Sequence, residues 1–336
     1  MIPSPLRSRR ALGVAALSVA VTLLPLPARA AAPTADQVMT DAGLSDSEKQ
    51  QVLAGQFVTV DLKTLSDRDL SVGIAFVVGV APDQLAREVE AGTLMKADPQ
   101  VKQVGRFSGP GSLADLSGLT IGGDEAALLG NASAGSSLNL ATAEIAAFQS
   151  AQAGGQPAVQ QQLRQMLLAR YQAYHAQGLA GIAPYDRGGS QSDPAADLRK
   201  AADSTAGIRK YVPALQQLLA NYPQGDRSGV TELQQWLEYD IDGTTTYVLS
   251  HGLVMAVGDA RVVVQRQYYA STGYDAEQAV VAFLPSAQGT VVVYGNHTFT
   301  EQVAGFGGSA KRSIGRGIMT KKLEEMFRRQ KAKVEH

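Results

Sequence analysis

Between Glu232 and Thr300 the chain is cut into strand-length segments by very short turns, and this limits the fold more than any other feature. Asp242-Gly243, Gly258-Asp259, Thr272-Gly273 and the Pro285–Gly289 loop separate residues 232–241, 244–257, 260–271, 276–284 and 290–300. A two-residue Asp-Gly connection supports a hairpin and nothing else, because parallel strands need a crossover of about a dozen residues. Five consecutive antiparallel strands follow, and at least one face of such a meander must be covered. The cover is supplied after the glycine-rich link Gly305–Gly308. A long helix runs from there toward Lys333, with Met319, Leu323, Met326 and Phe327 on one stripe at i, i+4, i+7 and i+8.

Upstream, residues 57–62 alternate as a strand, and Ser71–Val80 is an apolar, β-branched run that reads as a buried strand. Ala81-Pro82-Asp83 opens a helix through Glu90, with proline at an early helical position. Gln103–Ser108 is a further strand. From Gly109 to Gly155 the composition shifts to Gly, Ser, Ala and Asn, which predicts loops and short helices. A clear helix runs from Pro157 to its stop at Gly178, with Val159, Leu163, Met166, Leu167 and Tyr174 at helical spacing. Leu179–Tyr185 reads as a short strand. Asp193-Pro194 and Val212-Pro213 open two more helices, the second striped by Leu215, Leu218, Leu219 and Tyr222. Residues 31–56 form a leader with one helix at Ser45–Leu53, where Ser45 and Glu48 stand at capping-box spacing. The expected organisation is a leader at 31–56 and one domain at 57–333, interrupted by a mainly helical insertion at 109–222.

This element order resembles the helix-grip fold of the START-like (SRPBCC) superfamily. The resemblance is carried by Ser71–Ser108 and Glu232–Lys333, less than half of the chain, and rests on order because that superfamily has no short signature motif. It implies an α+β fold in which an antiparallel meander grips a long C-terminal helix. It also implies an apolar or aromatic ligand held between sheet and helix. The insertion departs from the compact family pattern, and some members of the superfamily are enzymes, so fold alone does not fix function.

The turns also fix residue pairs. They set Trp236 opposite Leu249 and Gln234 opposite His251, then Leu249 opposite Tyr268, His251 opposite Arg266, Leu253 opposite Val264 and Met255 opposite Val262. One sheet face therefore gathers large apolar residues with a histidine and an arginine, the make-up of a small-molecule pocket. Trp236, Leu249, His251, Leu253, Val264, Arg266 and Tyr268, closed by Phe327, are the expected ligand-binding residues. The competing reading makes the same face core, with His251 and Arg266 as satisfied structural groups. A one-residue slip would turn the whole set to the other side.

Catalytic chemistry is sparse. The chain lacks G-x-x-x-x-G-K-[ST], G-x-S-x-G, S-x-x-K and H-E-x-x-H, and its four histidines do not stand at metal-ligand spacing. No cofactor or metal is expected, and catalysis by His251 or His297 ranks below binding for want of a nucleophile or orienting carboxylate. With no cysteine, disulfides, thiolate metal sites and a lipoprotein anchor are excluded. A formal charge of −1 gives no general pull toward nucleic acid. The first reading is a binding protein for a lipid or other apolar small molecule. The second is a cell-envelope accessory protein that contacts a protein partner through its insertion.

Two charge patterns bear on location. Arg7, Arg9 and Arg10 precede the apolar run Ala11–Leu26 and the small-residue site Ala28-Arg29-Ala30, which is the order of a cleavable bacterial export signal at residues 1–30. Ser8-Arg9-Arg10-Ala11-Leu12-Gly13 resembles a twin-arginine signal, and the expected destination is the periplasm. Lys311–Lys333 holds nine basic residues against Glu324 and Glu325. Its lysines and arginines are expected to face solvent, or else the surface of an anionic membrane.

Overall fold

In the computed structural model, the described residues are 32–241, 243–305 and 307–336; the expected export signal lies outside them. Turn chemistry lays out the sheet. The strands are β1 (Val58–Val60), β2 (Asp69–Val78), β3 (Val101–Arg106), β4 (Tyr185–Asp186), β5 (Gln191–Ser192), β6 (Val230–Ile241), β7 (Thr244–Val257), β8 (Ala260–Ala270), β9 (Ala276–Ser286) and β10 (Gly289–Phe299). Eight of them form one antiparallel sheet in the order β1-β2-β10-β9-β8-β7-β6-β3, while β4 and β5 make a separate small hairpin. Gly243 and Gly258 take left-handed φ of 83° and 59° in the turns that join β6 to β7 and β7 to β8.

The paired register matches the turn-based expectation at Trp236–Leu249, Gln234–His251, His251–Arg266, Leu253–Val264 and Met255–Val262. It departs at one place. A bulge between Leu249 and Ser250 pairs Leu249 with Tyr269 instead of Tyr268. The extra residue lets Tyr268 and Tyr269 both join the same apolar cluster, which strict alternation forbids.

The helix Gly308–Glu335 lies on the face of the sheet called inner here. Phe327 is buried among Ile74, Phe76, Phe283, Val292 and Tyr294, and Met319, Leu323 and Met326 pack against the same cluster. The helix Pro82–Ala91 adds Leu85 and Ala86 to it. The protein is thus an α+β molecule whose antiparallel meander grips a long C-terminal helix. The basic residues of that helix do not simply face solvent. Arg312 donates to the Asp67 carbonyl (2.7 Å), Arg316 to Thr64 Oγ1 (3.0 Å) and Lys331 to the Val77 carbonyl (2.7 Å). Arg328 stands 4.4 Å over the Phe57 ring. These groups tie the helix to β2 and to the segments on either side of β1, because backbone carbonyls, a hydroxyl and a ring face accept what a lysine or arginine offers.

The opposite, outer face is covered twice. The helix Gly155–Gln177 and its neighbours in the insertion pack on β6, β7 and β8, with Leu163, Tyr171, Tyr174, Leu215 and Leu219 in one cluster with Trp236, Leu249, Leu253 and Val264. Gly105 pairs with Trp236 from β3, and a Cβ there would lie 2.1 Å from the indole nitrogen, so only glycine admits the ring. The segment ahead of β1 holds two helices where one was expected: Thr34 caps Ala35–Asp41 and Ser45 caps Asp46–Leu53. Met39, Leu44 and Val52 pack on Val58, Ala75, Val77 and Val291. Leu179–Tyr185, expected as a strand, is a 3-10 turn at Gly178–Gly181 that leads into β4.

Candidate functional site

Short side chains on the inner face leave a gap that the C-terminal helix does not fill. The result is a cavity of about 970 Å³ between sheet and helix, within the range of small-molecule sites. Its wall follows from the register. Reading across β6, β7, β8, β9 and β10, one inner row is Gln235, Ser250, Gln267, Glu277 and Thr298. The next row toward the far end is Leu233, Gly252, Gln265, Ala279 and Asn296. Beyond it come Val254, Val263, Val281 and Tyr294, and then Phe283 and Val292. Gly252 and Ala279 put almost no side chain into the middle of the wall, and the Leu233 side chain leans over Gly252, where a Cβ would come within 3.2 Å of it.

The cavity is therefore graded. Its far end is apolar, lined by Phe76, Val78, Leu85, Phe283, Val292 and Phe327. Its other end is polar, and solvent-exposed Thr244, Gln302, Ile318 and Lys322 stand on its lining. At that end Thr298 donates to Glu277 Oε2 (2.9 Å), Asn296 donates to Tyr294 Oη (2.8 Å), and Tyr274 donates to Gln267 Oε1. Burial pushes the Glu277 carboxyl above its ordinary range, with the bonds from Thr298 and Asn296 opposing it. Burial likewise raises the hydroxyls of Tyr239, Tyr274 and Tyr294, and the charge of Glu277 adds to each. Two inner-face groups, Gln235 Nε2 and Thr246 Oγ1, are buried without a hydrogen-bond partner.

Of the residues expected to bind ligand, only Phe327 lines this cavity. Trp236, Leu249, His251, Leu253, Val264, Arg266 and Tyr268 come together as paired, but on the outer face beneath the insertion. There the space is filled. Tyr268 stacks on Tyr174 at 3.9 Å, and Tyr174 on Tyr222 at 5.1 Å. His251 Nδ1 meets the Tyr174 hydroxyl at 3.0 Å and Nε2 meets Glu232 at 3.2 Å. Arg266 donates to Gln278 Oε1 (3.1 Å from Nε), to the Leu219 carbonyl (3.1 Å) and to Tyr174 (3.4 Å). Desolvation holds His251 below its ordinary value although the Glu232 carboxylate works against it. A neutral ring fits both contacts, accepting a hydrogen bond from Tyr174 at Nδ1 and donating one from Nε2 to Glu232. These are satisfied structural polar groups. The pairing logic selected the right residues as neighbours, but bulk marks the side that is packed shut, while the open side is marked by glycine, alanine and short polar residues.

No protein-family model matches the chain, and no curated protein sequence matches it. Among solved structures it is similar to the crystal structure of Ara h 8.0201, at 15% identity over 42% of this chain and 89% of that chain, with a TM-score of 0.21. At that score the likeness adds nothing to what the topology states.

Proposed function

We propose that this is a binding protein for a lipid or other apolar small molecule, held in the inner-face cavity between the sheet and the C-terminal helix. One observation carries the reading. A cavity of about 970 Å³ stays open between sheet and helix although apolar side chains surround its far end. Small voids inside proteins cost contact energy, so a gap this large beside a packed core is supported by what occupies it. The arginine-led N-terminal segment supports export to the periplasm, where a carrier for poorly soluble molecules has work to do. The START-like resemblance points to the same ligand position.

Native mass spectrometry of protein purified without detergent, followed by titration of the stripped protein with N-phenyl-1-naphthylamine, tests the proposal. A co-purifying apolar molecule, or saturable probe fluorescence that the extracted material displaces, is expected. Protein that carries nothing and does not take up the probe would overturn it.

A further inference from the structure

The polar end of the cavity carries a more specific message than the apolar end. Glu277, on β9, stands in a row whose other members, Gln235, Ser250, Gln267 and Thr298, are all neutral. Thr298 donates to its Oε2 and burial pushes its carboxyl up, while the bases that line the same cavity, Lys322, Arg329 and Lys331, are carried by the C-terminal helix. Asp197 and Asp275, by contrast, are each paired with Arg68. Glu277 is half-buried, and a carboxylate drawn partly out of water gains from a cation or a proton that completes it. Three tyrosines line the cavity with it: Tyr274 donates to Gln267, its neighbour in the row, Tyr294 accepts from Asn296, and Tyr239 stands on β6. Aromatic faces attract cations through their quadrupole, and rings gathered beside an acid favour an ammonium over a neutral or anionic head. The available donors are largely consumed inside the protein, Thr298 on Glu277, Asn296 on Tyr294 and Tyr274 on Gln267. The charged group of the inner row is an acceptor, Glu277, while Gln235 Nε2 and Thr246 Oγ1 are donors without a partner.

We propose that the ligand is an amphiphile with a cationic amine head, its ammonium seated on Glu277 among the three tyrosines and its apolar body against Phe76, Phe283 and Phe327. This rests on the cavity being a binding site at all. The unpartnered amide of Gln235, in the same inner row, provides one donor for an oxygen attached near that head. Isothermal titration of stripped protein with decylamine, 1-decanol and decanoate, at matched chain length, separates the two claims. Decylamine is expected to bind about tenfold or more tightly than decanol, the worth of one charge-assisted hydrogen bond, and decanoate more weakly than either. Glu277→Gln should bring decylamine down to the level of decanol while decanol itself binds as before. Equal binding of decylamine and decanol to the native protein, or an amine preference that survives Glu277→Gln, overturns the head-group assignment and leaves the apolar site standing. If none of the three binds, the cavity is not a ligand site and both readings fail.

Discussion

Replacing Phe327 by alanine probes the grip on the C-terminal helix. The ring is 8% exposed, and burying a phenylalanine contributes about 1.5–3 kcal/mol. It also touches Phe76 at 5.1 Å and Tyr294 at 4.9 Å with planes 70° apart, contacts worth about 0.5–1.5 kcal/mol each. Because the ring already borders an open cavity, its loss enlarges a void without creating a sealed one. The expected cost is therefore about 3–4 kcal/mol, toward the lower part of the range for buried aromatics. Urea unfolding followed by circular dichroism reads it as a shift in midpoint at constant slope. Ile318 on the same helix is 55% exposed, and its change to alanine should stay within about 0.5 kcal/mol. A Phe327→Ala cost below about 1 kcal/mol would mean that the helix is not clamped to the sheet, and the cavity would lose its lid.

Three further outcomes follow from the two faces. Tyr174→Phe removes the hydroxyl shared by His251 and Arg266 and should cost about 1–3 kcal/mol without changing probe affinity; an affinity loss in a folded variant would return the site to the outer face. His251 is held below its ordinary value of 6.5 by burial, so the unfolded chain takes up the proton first as pH falls. Stability should therefore decline below about pH 6.5, and His251→Gln should flatten that part of the midpoint-against-pH curve; an unchanged slope would refute the assignment. Replacing Arg328 with glutamine should lower stability by losing the contact over Phe57, by about 0.5–1 kcal/mol; no change in urea midpoint would show that the guanidinium is merely solvated.

Much of the fold was legible because turn chemistry and periodicity are local. Gly243 and Gly258 mark the hairpins, Pro82, Pro194 and Pro213 open helices where proline sits at an early position, and Met319–Phe327 gives the stripe that meets the sheet. The helix at Ala35–Asp41 went unseen because its cap is Thr34 with Gln37, a quieter signal than Ser45 with Glu48. The Tyr268 bulge could not be read from alternation, since an inserted residue breaks the rule by which alternation is read. The face of the site was not legible for a different reason. Both faces of β6–β8 are buried, so apolar content cannot say which one the C-terminal helix covers and which the insertion covers. The usable signal was volume: on β7 the short Ser250 and Gly252 alternate with Leu249, His251 and Leu253, and on β9 Ala279 adds another short residue to the same face.

The most direct test of the inner-face site compares Ala279→Phe with Leu249→Ala. Ala279 is 3% exposed and lines the cavity, whereas Leu249 is fully buried in the outer cluster. Each variant is checked for folding by thermal melting and then titrated with N-phenyl-1-naphthylamine. Leu249→Ala should lose about 2–5 kcal/mol of stability and bind the probe as the native protein does. Ala279→Phe should stay folded and bind it at least about tenfold more weakly, because the new ring occupies the space the ligand needs. A folded Ala279→Phe that binds normally, or a folded Leu249→Ala that does not bind, would contradict the account.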